Sequence, residues 1–93
     1  MKIKVGNTTF DHVEYDAEAD VLYLHVGRPD RAGDFDESPE GHALRYDRAG
    51  ILVGLTIVSP KKLLDAAEPI TVTIPERVTI DPALIAPAVL PAA

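Results

Sequence analysis

Ninety-three residues, 46% of them hydrophobic and 26% charged, are enough for one domain with a modest core. The formal net charge of −6 repels a phosphate backbone and gives no footprint for nucleic acid, and the absence of cysteine excludes disulfides and thiolate metal sites. No apolar stretch of signal-peptide kind follows Met1-Lys2-Ile3-Lys4, and the longest apolar run, 82–93, is too short and proline-rich to span a bilayer. A cytoplasmic protein with no membrane partner is expected.

In chain order, Lys2 to Val5 alternates charged and apolar residues, and Gly6-Asn7 supplies a two-residue turn with glycine first. Thr8 to Tyr15 is the return strand, with Phe10 inward. Val13 and Tyr15 fall on the opposite parity, so a bulge near Asp11-His12 is needed to reconcile the three. Asp16 to Asp20 forms the next turn. Val21 to Val26 is a strand with apolar residues on both faces, which predicts a central strand covered on each side.

Arg28 to Gly41 is a long polar connection containing Pro29, Gly33 and Pro39, with Asp30, Asp34, Asp36, Glu37 and Glu40 against only Arg28 and Arg31. Its length and composition predict a mobile loop. His42 to Tyr46 is the third strand, and Asp47-Arg48-Ala49-Gly50 matches a type I turn. Ile51 to Val58 follows as the most apolar strand, with Gly54 admitting a close neighbour.

Ser59 is the expected helix cap, with Pro60 at the first helical position and Leu63, Leu64 and Ala67 as the apolar stripe. Glu68-Pro69 stops that helix. Ile70, Val72 and Ile74 alternate with Thr71 and Thr73 as a half-buried strand, which Pro75 ends or marks as an edge. Val78 to Ile80 is a further short strand. Asp81-Pro82 then caps a short helix over Ala83 to Ala86, and Pro87 and Pro91 break up the tail.

The segment from Tyr15-Asp16 to Leu22 recurs in weakened form from Tyr46-Asp47 to Leu52. Asp16 and Asp47 are placed to bond their own turn amides, while Asp20 and Gly50 tolerate the left-handed conformation that closes each turn. One hairpin is thus used twice. Pairing the second and third strands by symmetry about the long loop sets His25 opposite His42, Tyr23 opposite Leu44 and Val21 opposite Tyr46. By the same symmetry Tyr46 meets Ile51 and Leu44 meets Val53. The expected architecture is α+β, mainly β. It is an antiparallel meander of two repeated hairpins, about five to six strands, with one short helix on the sheet and a short C-terminal helix or extended tail. All 93 residues form one domain.

Tyr15-Asp16-x-Glu18-Ala19-Asp20-x-Leu22-Tyr23, followed by Tyr46-Asp47-x-x-Gly50-x-x-Val53-Gly54-Leu55-x-Ile57, resembles a bacterial family of small domains of unknown function. That family's signature reads Tyr-Asp-x-Glu-Ala-Asp-x-Leu-Tyr. The resemblance covers 13–59 and leaves 60–93 as an extension outside it. It implies a small bacterial β-rich protein without an established activity. Family members often stand beside genes for small toxin-like proteins, which implies an antitoxin-like or regulatory binding role. The chain departs from the pattern at Arg48 and Thr56, where the family carries more acid.

Three groups of residues have chemical potential. The carboxylates Asp16, Glu18 and Asp20 alternate as hard-cation ligands do, but the further ligands of an EF-hand are lacking and turn formation accounts for two of them. His25 and His42, if adjacent across a strand pair, would hold a transition metal with Glu40 as a third ligand; the blander reading is two half-exposed residues near a loop. His12, beside Asp11 and Glu14, has no nucleophile placed next to it. Ser38 lies in the loop and Ser59 is consumed as a cap, so a hydrolytic triad has no nucleophile. No catalytic residue, cofactor or phosphate-binding glycine motif is assigned.

An enzyme is therefore the weaker reading. The favoured one is a binding module that pairs with itself, most simply as a dimer, and with a basic protein partner. Its candidate contact residues are Tyr15, Tyr23 and Tyr46, with Leu84 and Ile85 of the apolar tail. The alternative is a metal- or small-molecule-binding protein using the acidic turn or the His25/His42 pair.

Overall fold

The computed structural model describes residues 2–27, 33–74 and 76–89. They form nine strands in antiparallel sheets and two short helices, mainly β and without a closed barrel. Strands β1 (Ile3–Val5) and β2 (Thr8–Phe10) make a hairpin turned by Gly6, whose φ of 60° suits glycine. The sheet ends there. Asp11 interrupts the chain, which re-enters a second sheet as β3 (His12–Asp16). A change of sheet, in place of the expected bulge, brings Val13 and Tyr15 against the same core as Phe10.

The second sheet has five strands in the order β3, β4 (Val21–His25), β7 (Leu52–Val58), β6 (Ala43–Tyr46), β5 (Asp34–Glu37). The expected pairing of the second and third strands is therefore corrected. Strand β4 lies beside β7, with Tyr23 opposite Thr56 and His25 opposite Gly54. The polar connection supplies a strand of its own at Asp34–Glu37, paired with β6, so a mobile loop does not describe that part. Arg28, Pro29, Asp30 and Arg31 lie outside the described residues. Between β6 and β7 Leu44 faces Leu55 and Tyr46 faces Leu52, with a register shift at Arg45/Tyr46 that the symmetry argument did not contain.

Leu22, Leu24, Leu44, Leu55 and Ile57 point to one face of this sheet and are buried. Against them lie Phe10, the hairpin of β8 (Ile70–Ile74) with β9 (Glu76–Ile80), and helix α2 (Pro82–Val89). Ile70 and Val72 are fully buried, as the alternation predicts; Pro75 is outside the described residues, as are 90–93 with Pro91. Among the described residues, nothing covers the opposite face of the sheet. Tyr23 is 41% exposed, so β4 is central in pairing but not covered on both sides.

Helix α1 (Pro60–Asp65) ends in a Schellman motif: Glu68 N–H donates to Leu63 O and Ala67 N–H to Leu64 O. Ala67 sits at φ 53°, the left-handed position glycine usually takes, so it is a cap and not part of an apolar stripe. Asp81 starts α2 by accepting the Ala83 amide at 2.9 Å. The helix runs through Pro87 to Val89, further than the proline predicts. Proline in a helix interior costs about 3 kcal/mol, and burial of Ile85 and Val89, one turn apart on the core side, offsets it.

Substitutions in the two helices test these assignments. Ala67→Gly relieves the left-handed strain and should raise stability by about 1 kcal/mol in urea unfolding. Ile85→Ala should cost about 3 kcal/mol, whereas Leu84→Ala, on the exposed side of the same helix, should stay within about 0.5 kcal/mol.

Candidate functional site

The acidic turn between β3 and β4 is built to hold backbone. Asp16 Oδ1 accepts the amides of Glu18 and Ala19, both at 3.1 Å. The equivalent Asp47 Oδ1 accepts Ala49 and Ile51, both at 2.9 Å. Asp20 closes the first turn at φ 53° and Gly50 the second at φ 80°. These are Asx-type turns, in which the side chain stands in for a backbone acceptor.

Asp20 does more than close its turn. Its carboxylate accepts the Tyr15 hydroxyl at 2.8 Å and the amides of Lys61 and Lys62 at 3.1 and 3.3 Å. Its carbonyl accepts the Ser59 amide at 2.9 Å. The cap of α1 is therefore Asp20, 41 residues before Lys61 in the sequence, and not Ser59. Ser59 lies at φ 58° and makes no side-chain cap bond. Desolvation pushes the Asp20 carboxyl up, but the bonds from Tyr15 and the two amides outweigh it and hold it below its ordinary value. Burial, then the bond to Asp20, pushes the Tyr15 hydroxyl up to about 12.

The histidines fall into two separate places. His25 pairs across the sheet with His12, not with His42, and the two rings stack with centroids 4.5 Å apart and planes 8° from parallel. His25 Nδ1 lies 2.9 Å from Gly27 O, and since a carbonyl only accepts, Nδ1 carries the proton. Asp11 Oδ1 accepts the Gly27 amide at 3.0 Å, the main cause of its lowered pKa, and lies 3.8 Å from His12 Nε2. Parallel stacked rings direct their in-plane lone pairs along parallel planes, which do not converge on one ion. Among the described residues, no group of three or more His, Asp or Glu side chains is gathered to hold a metal.

His42 is 4% exposed and precedes β6, with β7 lying between β6 and the strand of His25. Its Nδ1 accepts the Val58 amide at 3.1 Å, which leaves the ring proton on Nε2. Burial holds its pKa below the ordinary value, with Glu40 acting in the opposite sense. In this state Nε2 donates. It neither ligates a metal nor takes a proton from a nucleophile while the Val58 bond stands. The ring lines an open groove of about 640 Å³ with Glu40, Val58, Ser59, Lys62 and Leu63 among its walls. Glu40 itself is tied to β8, accepting Thr73 N–H at 2.9 Å and the Thr73 hydroxyl at 2.8 Å.

Of the five contact candidates, Tyr23 and Leu84 are exposed. Tyr15 and Tyr46 pack partly buried against the core, and Ile85 is fully buried within it. Ile85 is thus corrected from an interface residue to a core residue. Sequence reasoning misses the Asp20 cap, the Glu40–Thr73 link and the release of Ser59 from capping. No local pattern announces a cap from 41 residues away.

Removing the Asp20 carboxylate leaves two helix amides and a hydroxyl without their acceptor. Asp20→Ala should lower stability by about 1–2 kcal/mol in urea unfolding. The folded-state carboxyl binds its proton less tightly than in the unfolded chain, so its contribution is present above the ordinary carboxylate range and lost as pH falls through the folded value. Tyr15 has the reverse sign: its contribution is present below pH 10 and is lost as pH rises towards about 12. A tyrosinate absorbance titration should show a step near pH 12 that Tyr15→Phe abolishes.

No curated protein and no solved structure matches the chain. Residues 12–59, from the start of β3 to the residue before α1, match a family described as "Protein of unknown function (DUF2283)". That span covers the five-stranded sheet and both Asx turns, and the chain belongs to this family.

Proposed function

We propose that the protein is a non-catalytic binding module that pairs with a second copy of itself through the uncovered face of the five-stranded sheet. The observation that supports this is the exposure of Tyr23, Phe35 and Val58 at 41%, 69% and 44% on that face. Cross-strand register arranges the face in rows. One runs Glu14, Tyr23, Thr56, Ala43, Glu37, and the next His12, His25, Gly54, Arg45, Phe35. The Arg45 guanidinium lies 4.5 Å from the Phe35 ring centre. Gly54 opposite Arg45 keeps the middle of the face low, since a Cβ there would stand 3.0 Å from Arg45 Cβ. Exposed aromatic and aliphatic groups bordered by charges on one sheet face are what a sheet-on-sheet contact needs.

A basic partner is the second reading, with an antitoxin-like role as its biological form. It is favoured by β5, where Asp34, Asp36 and Glu37 are all exposed at the sheet edge. Asp36 Oδ1 accepts the Glu37 amide at 2.8 Å, which blunts the edge against strand addition and leaves its charge as the attraction. Within α2, Ile85 and Val89 face the protein's own core and support neither reading.

Light scattering across a concentration series should give twice the 10.0 kDa chain mass for the wild type. Tyr23→Glu should give the monomer mass with unchanged far-UV circular dichroism. A wild type that stays monomeric at high concentration would remove self-pairing and leave the basic-partner reading.

A further inference from the structure

We infer that the groove between the 38–42 turn and the junction of α1 with β8 is a carboxylate-binding site, taking a small ligand with one carboxylate and a short aliphatic tail. His42 is buried but for 4% of its surface, and it lines this groove. Its Nδ1 is committed to the Val58 amide. Among the described residues Nε2 takes no partner, yet no fully buried polar side-chain atom lacks one. Nε2 is therefore the ring atom that meets the groove, and the tautomer makes it a donor.

Two further donors line the same groove. Ser59 is relieved of capping by Asp20, so its hydroxyl is not drawn into the helix terminus. Lys62 brings a cation that forms no ion pair among the described residues. An imidazole N–H, a hydroxyl and an ammonium share one complement: an acceptor with negative charge. Glu40, bonded to Thr73, and Glu68 also line the groove, and their two negative charges disfavour polyanions and limit the ligand to a single carboxylate. Val58, Leu63 and Pro69 offer apolar wall for a short chain. The site goes beyond the pairing proposed above, and a monomer carries it equally.

Butyrate is the probe, with 1-butanol as its uncharged counterpart, followed by amide and imidazole NMR shifts of the full chain. Butyrate should shift His42, Ser59 and Lys62 resonances saturably. Lys62→Gln and Ser59→Ala should each weaken it several-fold, and His42→Asn by about tenfold. Asparagine keeps an acceptor near Val58 N–H while removing the groove donor. If His42→Asn fails to fold, the two surface variants still decide. No saturable shift with butyrate would overturn the proposal. So would butanol binding with equal strength, or variants that bind butyrate as the wild type does.

Discussion

The fold depends on one carboxylate. Asp20 ends the β3–β4 turn in the left-handed conformation, holds Tyr15 on the strand before it, and starts α1, which is distant in sequence but adjacent across the sheet. Its own carbonyl takes the Ser59 amide, so the last residue before α1 is fixed by the same side chain and backbone. Helix α1 is six residues long, below the length at which a helix sustains itself in water. Without an external cap it has little reason to form. Beyond α1, the β8–β9 hairpin and α2 supply Ile70, Val72, Ile80 and Ile85 to close the core over the sheet. The hairpin turn thus sets where the second half of the chain begins to pack.

Local chemistry is legible in the sequence. Asp16 and Asp47 bond amides two to four residues away, and such bonds need nothing from the rest of the fold. The Ile70–Val72 alternation is equally self-contained, because a strand half-buried on one face shows its period directly. The α1 cap misleads for the opposite reason. Ser59-Pro60 carries a complete local signal for a cap, yet a charged acceptor from a distant turn occupies the site and Ser59 adopts a conformation in which its hydroxyl is not used. A carboxylate that bonds two helix amides outcompetes a hydroxyl that bonds one.

Strand order is hidden at a different level. Symmetry of the repeated hairpin places the second and third strands side by side, but symmetry says nothing about a strand concealed in a polar connection. Asp34-Phe35-Asp36-Glu37 has three acids in four residues, the composition of a loop, and it becomes a strand because β6 offers an unpaired edge. With β5 on one side of β6 and β7 on the other, β4 can only join at β7. The same edge position explains how β5 tolerates its composition: all four residues are exposed, and no side chain there must be apolar. Ile85 reads as part of a broken tail because a proline stands two residues later, whereas the apolar surface left open by the small sheets outweighs one lost helix bond.

The acidic composition is in part architectural, and this bears on what the surface can recognise. Short strands and six- and eight-residue helices leave many amides without a regular partner. Asp11, Asp16, Asp20, Glu40, Asp47 and Asp81 each take one or more of them. His25 and His42 each commit one ring nitrogen in the same way, one as donor and one as acceptor. These side chains are spent on the fold, and among the described residues no three His, Asp or Glu side chains are gathered to hold a metal. Capacity remains where the fold did not need it. In the groove beside α1 that remainder is a set of donors: His42 Nε2, left with its proton by the Val58 bond, the Lys62 ammonium, and the Ser59 hydroxyl, which Asp20 relieves of capping. The groove thus sets donors beside the acids Glu40 and Glu68, and one of those donors, the Ser59 hydroxyl, is freed by the same carboxylate that organises the domain.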